Sequence, residues 1–376
     1  MHSPVPGWVT RSLIALMLLT PFFAVPSSAR GDDFTPLTAA GERVIERMQR
    51  QPQDLTGYRR DLAYEAILRW DEQSGKDRGT TWVLEQLANS NFRPDSAAAK
   101  RRGPFNCLIF WVFRSTEDEA WLPAFVSQTT QYLENVPRSP EGAILHPRSE
   151  ARGGGQAMLI DALQDYSSRM AMLATVTGEA SPQQEAVAQF RIYRDIVRDP
   201  QTGLWHQGRG WNDDPMALSP GFWSRGHGWL IRGMVDTLLL LPKDSPESQE
   251  LQQYLEELAD ALVKVQQPSG MWHCLLNRSP DKSPPEVSGT ALIAANFAMA
   301  LDAGFLYDDR YREAARRAFQ ALPDYVDEQG LIHSVSPGPG PLSTEAPWIT
   351  DSFPPGNDHG PFTILFAAMA AEQLAD

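Results

Sequence analysis

Apolar residues recur at three- and four-residue steps along almost the whole chain beyond Asp33. That period predicts helices over roughly residues 36–50, 59–70, 79–90, 105–114, 117–134, 156–176, 182–198, 226–241, 246–266, 287–304, 308–322 and 360–375. No convincing series of alternating apolar and polar positions announces a set of strands. Helices that follow one another through turns suggest six helical hairpins. Several turns look alike: Arg114 to Ala120, Val176 to Pro182 and Gly304 to Tyr311 each set small and acidic residues between an apolar helix and a more polar one. This weak repeat fits alternating inner and outer helices in a closed toroid, with an open superhelical array as the alternative.

The clearest apolar helix lies in Phe222 to Pro242, where Leu230, Ile231, Met234, Val235, Leu238 and Leu239 mark one buried face. Trp223, Arg225, His227 and Trp229 crowd the segment before it, with Gly226 and Gly228 between them. Glycines there are expected to let the backbone turn tightly and a ligand approach, and a helix N-terminus beside an arginine suits an anion. A helix start with two core tryptophans and a capping arginine is the other reading.

Three stretches resist helix assignment: Val136 to Gln156, Asp199 to Gly221 and Leu331 to Gly360, each rich in Pro or Gly. Loops this long inside a compact domain are commonly functional. They carry His146, His206, His333 and His359, four of the seven histidines.

Composition narrows the function. A net charge of −14 and no Lys/Arg-rich run argue against a nucleic-acid partner. Met1 to about Arg30 reads as a secretory leader, with Arg11 before the apolar run Leu13 to Val25 and Ser27-Ser28-Ala29 as a cleavage region. No later segment reads as a membrane span, so residues 31–376 are expected to form one exported domain, periplasmic or secreted. The two cysteines, Cys107 and Cys274, are more simply two buried thiols than a disulfide, and neither has metal-site spacing.

Asp161 sits among Leu159, Ile160, Ala162 and Leu163 at the start of a predicted helix. A carboxyl group desolvated there has a raised pKa and suits general acid work; the alternative is an N-terminal helix charge or an ion pair with Arg169. Asp165 reads as a polar neighbour. No metal motif, phosphate loop or dinucleotide fingerprint is present in the sequence, and no cofactor is expected. Aromatic residues, histidines, an arginine and a carboxylate near loop-helix junctions are what a sugar site uses.

These residues in this order resemble the unsaturated rhamnogalacturonyl hydrolases of glycoside hydrolase family 105, and more distantly the unsaturated glucuronyl hydrolases of family 88. Phe222-Trp-Ser-Arg-Gly-His-Gly-Trp229 is similar to the family's central aromatic-Trp-x-Arg-Gly-Asn-Gly-Trp. Pro137 to His146, Asp161 with its following Leu163, Gly203-Leu-Trp-His206, Glu286-Val-Ser-Gly-Thr-Ala291 and His359-Gly-Pro-Phe-Thr-Ile-Leu365 match further family segments, from about Tyr58 to the C-terminus. The chain departs from the pattern where His227 replaces an Asn, where Gly153 to Gly155 lengthen the gap before Asp161, and where Asn106 stands in place of a second acid.

The resemblance implies an all-α, single-domain (α/α)6 barrel that removes a 4,5-unsaturated uronic acid from the non-reducing end of a lyase-generated oligosaccharide. It implies hydration of the vinyl ether, with Asp161 as the acid, Arg225 holding the uronate carboxylate, Trp223 and Trp229 stacking on sugar rings, and His146, His206, His227, His359 and Asn106 completing the binding site. An ordinary hydrolase of saturated sugars would need a second carboxylate facing Asp161. A glycan-binding protein without turnover is the reading that Asn106 favours.

Overall fold

The computed structural model describes residues 34–52, 55–96, 107–146, 155–211, 214–338, 345 and 352–374. The expected leader, 1–30, and Asn106 lie outside them. The described residues form α1 (Thr35–Arg50), α2 (Gly57–Ser74), α3 (Thr80–Asn89), α4 (Leu108–Thr116), α5 (Trp121–Asn135), α6 (Ala162–Thr177), α7 (Ala180–Val197), α8 (Ser224–Leu238), α9 (Pro246–Val265), α10 (Val287–Asp302), α11 (Asp309–Ala321) and α12 (Gly360–Leu374).

Two kinds of helix alternate. In α11 the buried residues are Tyr311, Ala314, Ala315, Ala318 and Phe319, one stripe at helical spacing. Helix α1 does the same with Leu37, Ala40, Gly41, Val44, Ile45 and Met48. A one-sided stripe marks an outer helix. By contrast α10 is buried at every residue from Val287 to Ala300, and α8 along its full length. Helices buried all round can only be inner ones, so the even-numbered helices line the barrel and the odd-numbered ones wrap it. Helix α2 packs on α4 and α12, α8 packs on α6 and α10, and α10 packs on α12; α1 closes the outer layer against α11 and α12. Phe110 and Trp111 of α4 and Met172 of α6 line one small cavity together with Arg69 of α2 and Asp236 of α8. This is the (α/α)6 toroid.

The predicted elements differ from the observed ones chiefly at their starts. The helix expected over 156–176 begins at Ala162. Ahead of it Met158–Leu159 forms a short strand, β1, antiparallel to β2 (Gly208–Arg209), with Met158 opposite Arg209. A short apolar run reads the same in a buried strand as in a buried helix, and here long-range backbone bonds decide: Ile160 N–H donates to Gln207 O at 3.0 Å and His146 N–H to Ala157 O at 2.8 Å.

The Gly-rich segment before the apolar helix is likewise not a turn. Arg225 to Trp229 are already helical, in the first turns of α8. A Cβ at Gly228 would come within 2.8 Å of Leu292 Cβ, and one at Gly289 within 2.6 Å of Ser224 Oγ. These glycines let α8 and α10 touch backbone to backbone. Both cysteines are free and buried, as two thiols.

Candidate active site

The inner helices point the same way, so their N-termini share one rim, and the described parts of the stretches before α6, α8 and α12 lead into it. Tyr58 (α2), Asp161 (before α6), Arg225 (α8), Glu286 (before α10) and His359 (before α12) meet there. The joins are direct. Tyr58 Oη and His359 Nε2 are 2.8 Å apart, Arg225 Nη1 donates to Ser288 Oγ of α10 at 3.0 Å, and a Cβ at Gly226 would lie 3.6 Å from Asp161 Oδ1.

Asp161 is the carboxyl group at this rim whose pKa is most clearly perturbed. Its residue is 9% exposed, and its Oδ1 has no hydrogen-bond partner among the described residues. Burial pushes its carboxyl up to about 7, against an opposing pull from the Arg225 charge. Desolvation therefore beats the nearby cation, and the carboxyl titrates near neutrality instead of in the ordinary carboxylate range. The ion pair with Arg169 considered from sequence does not form: Arg169 Nη2 lies 2.6 Å from Asp165 Oδ1, both side chains buried in the barrel.

Arg225 is placed at the site but not as a free fork. Its side chain is fully buried, Nη1 donates to Ser288 Oγ and to Ser336 O at 2.7 Å, and Nη2 donates to Pro337 O at 3.2 Å. Its guanidinium lies 4.3 Å above the Trp223 ring and 3.8 Å from Glu286 Oε1. Glu286 in turn caps α10, accepting from Ser288 and Gly289 N–H, and accepts from Ser336 N–H at 2.9 Å. Arg225 thus ties α8, α10 and the 334–338 loop together. Nη1 is committed to these acceptors, whereas Nη2 makes one of these bonds and Nε is buried without a hydrogen-bond partner among the described residues, so the Nε–Nη2 edge is only partly engaged; the charge of Arg225 acts on Tyr58, Asp161 and His359.

Other expectations are corrected by burial. Trp229 stacks on Phe362 at 5.0 Å inside the barrel wall, and Trp223 is buried with Cys274, Leu275 and Phe353, so neither offers an open face to a sugar. His227 is fully buried between two backbone groups: Nδ1–H donates to Trp223 O at 2.8 Å and Nε2 accepts from Trp205 N–H at 3.0 Å. Burial holds this ring neutral, with its pKa down to about 4. The imidazole braces the 203–206 loop onto α8 and does not face a ligand.

His206 is half-buried, with Nδ1–H donating to Ser219 O at 2.6 Å and its ring against Phe222. His146 is half-buried, its ring 5.1 Å from that of Trp211. His333 pairs with Asp327 at 3.2 Å in a turn on α1's side of the molecule.

Two residues went unnoticed in the sequence. Tyr58 opens α2 at the same rim, and its phenol pKa is raised by burial while the charges of Arg59, Arg225 and Asp161 act on it. The Tyr58-Arg59-Arg60 cluster at an inner-helix start was the available signal. Trp211 gives the rim an aromatic ring anchored by its indole N–H on Met158 O at 2.5 Å.

An all-α toroid of six hairpins with a buried carboxyl group of raised pKa among polar and aromatic side chains at the inner-helix rim is a frame that suits a six-hairpin glycosidase. The chain belongs to Glycosyl Hydrolase Family 88, whose profile matches residues 38–368. It is 28% identical over 260 residues, 69% of this chain and 71% of the relative, to the unsaturated rhamnogalacturonyl hydrolase YesR of Bacillus subtilis (strain 168). Its fold is that of a possible family 105 member from Klebsiella pneumoniae subsp. pneumoniae MGH 78578, with a TM-score of 0.74 at 20% identity over 99% of this chain and 98% of the other. The unsaturated glucuronyl hydrolase of Bacillus sp. GL1 shares it with a TM-score of 0.64 at 16% identity, over 89% of this chain and 96% of that one.

Proposed function

We propose that the protein releases a 4,5-unsaturated uronic acid from the non-reducing end of an oligosaccharide left by a polysaccharide lyase. The observation that carries this reading is Asp161: a buried carboxyl group whose Oδ1 has no partner among the described residues and whose pKa burial raises to about 7, in a chain whose relative is an unsaturated rhamnogalacturonyl hydrolase. A neutral acid can give its proton to C4 of the vinyl ether. The cation formed at C5 is an oxocarbenium, water adds to it, and the proton lost by that water returns to Asp161. The hemiketal then opens and expels the next sugar. One acid suffices for this sequence, whereas displacement at a saturated glycosidic carbon uses a carboxylate pair.

Arg225 contributes by potential. Its buried charge favours an anionic sugar in the cleft and stabilises the carboxylate that Asp161 becomes after giving up its proton. His206, with Nδ1–H committed to Ser219 O, offers Nε2 as an acceptor for a sugar hydroxyl, and His146 with Trp211 forms the neighbouring wall of the cleft. The reading places the protein outside the cytoplasm, on the strength of the leader-like residues 1–30.

The test is incubation with a panel of lyase-generated unsaturated disaccharides in heavy water. The enol-ether absorbance is expected to disappear, with deuterium at C4 of the product and no turnover of the saturated counterparts. Cleavage of a saturated glycoside, or product without deuterium at C4, overturns the reading.

A further inference from the structure

We propose that Tyr58 is a further catalytic group, an oriented acceptor that holds the attacking water, and that Asn357 and His359 are positioning residues that set the direction of its hydroxyl. The proposal rests on the hydration reading above.

The argument starts at Asn357. The backbone N–H of His359 donates to Asn357 Oδ1 at 3.1 Å, and a backbone N–H can only donate, so that end of the amide is its oxygen. The same Oδ1 lies 2.9 Å from His359 Nδ1. Two acceptors would repel there, so Nδ1 carries the proton, and the Asp358 carboxylate 3.6 Å away holds it on that side. Burial first, and then the positive charges of Arg225 and Arg59, hold the ring well below the ordinary histidine pKa. The imidazole is therefore neutral with a bare Nε2, which can only accept. At 2.8 Å that nitrogen takes the Tyr58 O–H.

The consequence is directional. A phenol whose proton is committed to an imidazole offers lone pairs and no donor in its other directions. It cannot bind the uronate carboxylate, which is itself only an acceptor. It can take a hydrogen bond from water. Tyr58 stands at the rim, half-buried, near enough to Asp161 for the carboxyl charge to act on it, and on the neighbouring inner helix to His359. In the hydration step the C4–H bond forms with the Asp161 proton, the C5–O bond forms with water, and one water proton returns to the Asp161 carboxylate. Tyr58 gains and loses no proton. It accepts a hydrogen bond from the other O–H of that water and fixes the oxygen's approach.

The tautomer is read directly by ¹⁵N-histidine NMR of the full chain at neutral pH. A His359 signal of the Nδ1–H form is expected; an Nε2–H form or an imidazolium overturns the relay. In kinetics on an unsaturated disaccharide, Tyr58→Phe is expected to lower kcat on the order of tenfold to a hundredfold with KM within about threefold, the size of one lost hydrogen bond felt in the transition state. A raised KM with kcat kept assigns Tyr58 to a sugar hydroxyl and overturns the water role. Asn357→Leu frees the tautomer and is expected to lower kcat as Tyr58→Phe does. Asn357→Asp keeps both acceptor bonds and is expected to stay near the wild type. Equal losses in the two Asn357 variants show a merely structural loop. Retained turnover by Asp161→Asn removes the underlying mechanism while leaving the His359 tautomer unchanged, so the two readings fail separately.

Discussion

Asp161 at the rim and Asp236 in the middle of the barrel are both buried carboxyl groups, yet they behave in opposite ways. Asp236 lies 3.0 Å from Arg69 Nη2 and 3.2 Å from Arg232 Nε, and Glu65 closes the ring with the same two arginines. This quartet joins α2 to α8 across the barrel, since those helices have different inner neighbours. Burial alone would raise Asp236, but the two guanidinium groups overcome it and hold its carboxyl below the ordinary value. Asp161 meets one cation, Arg225, and its Oδ1 has no hydrogen-bond partner among the described residues, so desolvation wins. Pairing and burial compete group by group: Glu65, held by the same two arginines, is still raised by desolvation, and what sets Asp161 apart is an Oδ1 with no partner among the described residues.

The comparison breaks most visibly at Asp161 itself. Asp161→Asn keeps the shape and removes the exchangeable proton, so kcat is expected to fall by roughly a hundredfold to ten-thousandfold, the range typical of lost general acid catalysis, with circular dichroism unchanged. Near-normal turnover by the folded variant would end Asp161's assignment.

In the quartet, Arg232→Met leaves Glu65 and Asp236 sharing Arg69, one cation for two buried carboxylates. Chemical denaturation is expected to show a loss of about 3–5 kcal/mol, the cost of stranding a buried charge. Removing Glu65 as well, in Glu65→Leu with Arg232→Met, restores charge balance and is expected to recover much of that loss. Equal destabilisation by the single and double variants would mean that packing, not charge, governs the position.

The pH dependence sharpens the contrast with the smallest effect near neutrality. Asp161 acts as its protonated form, so kcat/KM is expected to level off below about pH 7 and to fall as pH rises beyond it. For stability the sign follows from a folded pKa above the unfolded one: the native state binds more protons, so this group's contribution is greatest at low pH and declines until pH passes about 7. The folded Asn variant, neutral throughout, is expected to gain in Tm relative to the wild type over that interval and then hold a constant lead. A constant difference at every pH would show an ordinary carboxyl group.

Most of the architecture was legible in the chain. One-sided stripes such as Tyr311, Ala314, Ala315, Ala318 and Phe319 gave outer helices, and continuous apolar runs such as that of α10 gave inner ones, because a 3.6-residue period shows which faces must leave water. The three Pro- and Gly-rich loops were readable for the same local reason. Asp161, Arg225, His206 and His359 stand out in the sequence as unusual polar residues near helix starts in apolar surroundings, and the structure brings Asp161, Arg225 and His359 to one rim.

Direction and occupancy were not legible. The sequence determined that Arg225, His227 and Trp229 stand near the start of one helix; only the packing of α8 against α10, α12 and the 203–206 and 334–338 loops decided that Arg225 Nη1 is committed to Ser336 O, the imidazole braced and the indole covered by Phe362. Met158 and Leu159 became a strand through bonds to residues fifty positions away, beyond the reach of any local period. Tyr58 and His359 lie at opposite ends of the chain and meet only because the toroid closes. A side chain's type and spacing fix what chemistry it can do, while its partners fix which part of that chemistry is left, and partners that come from distant segments exist only in the folded molecule.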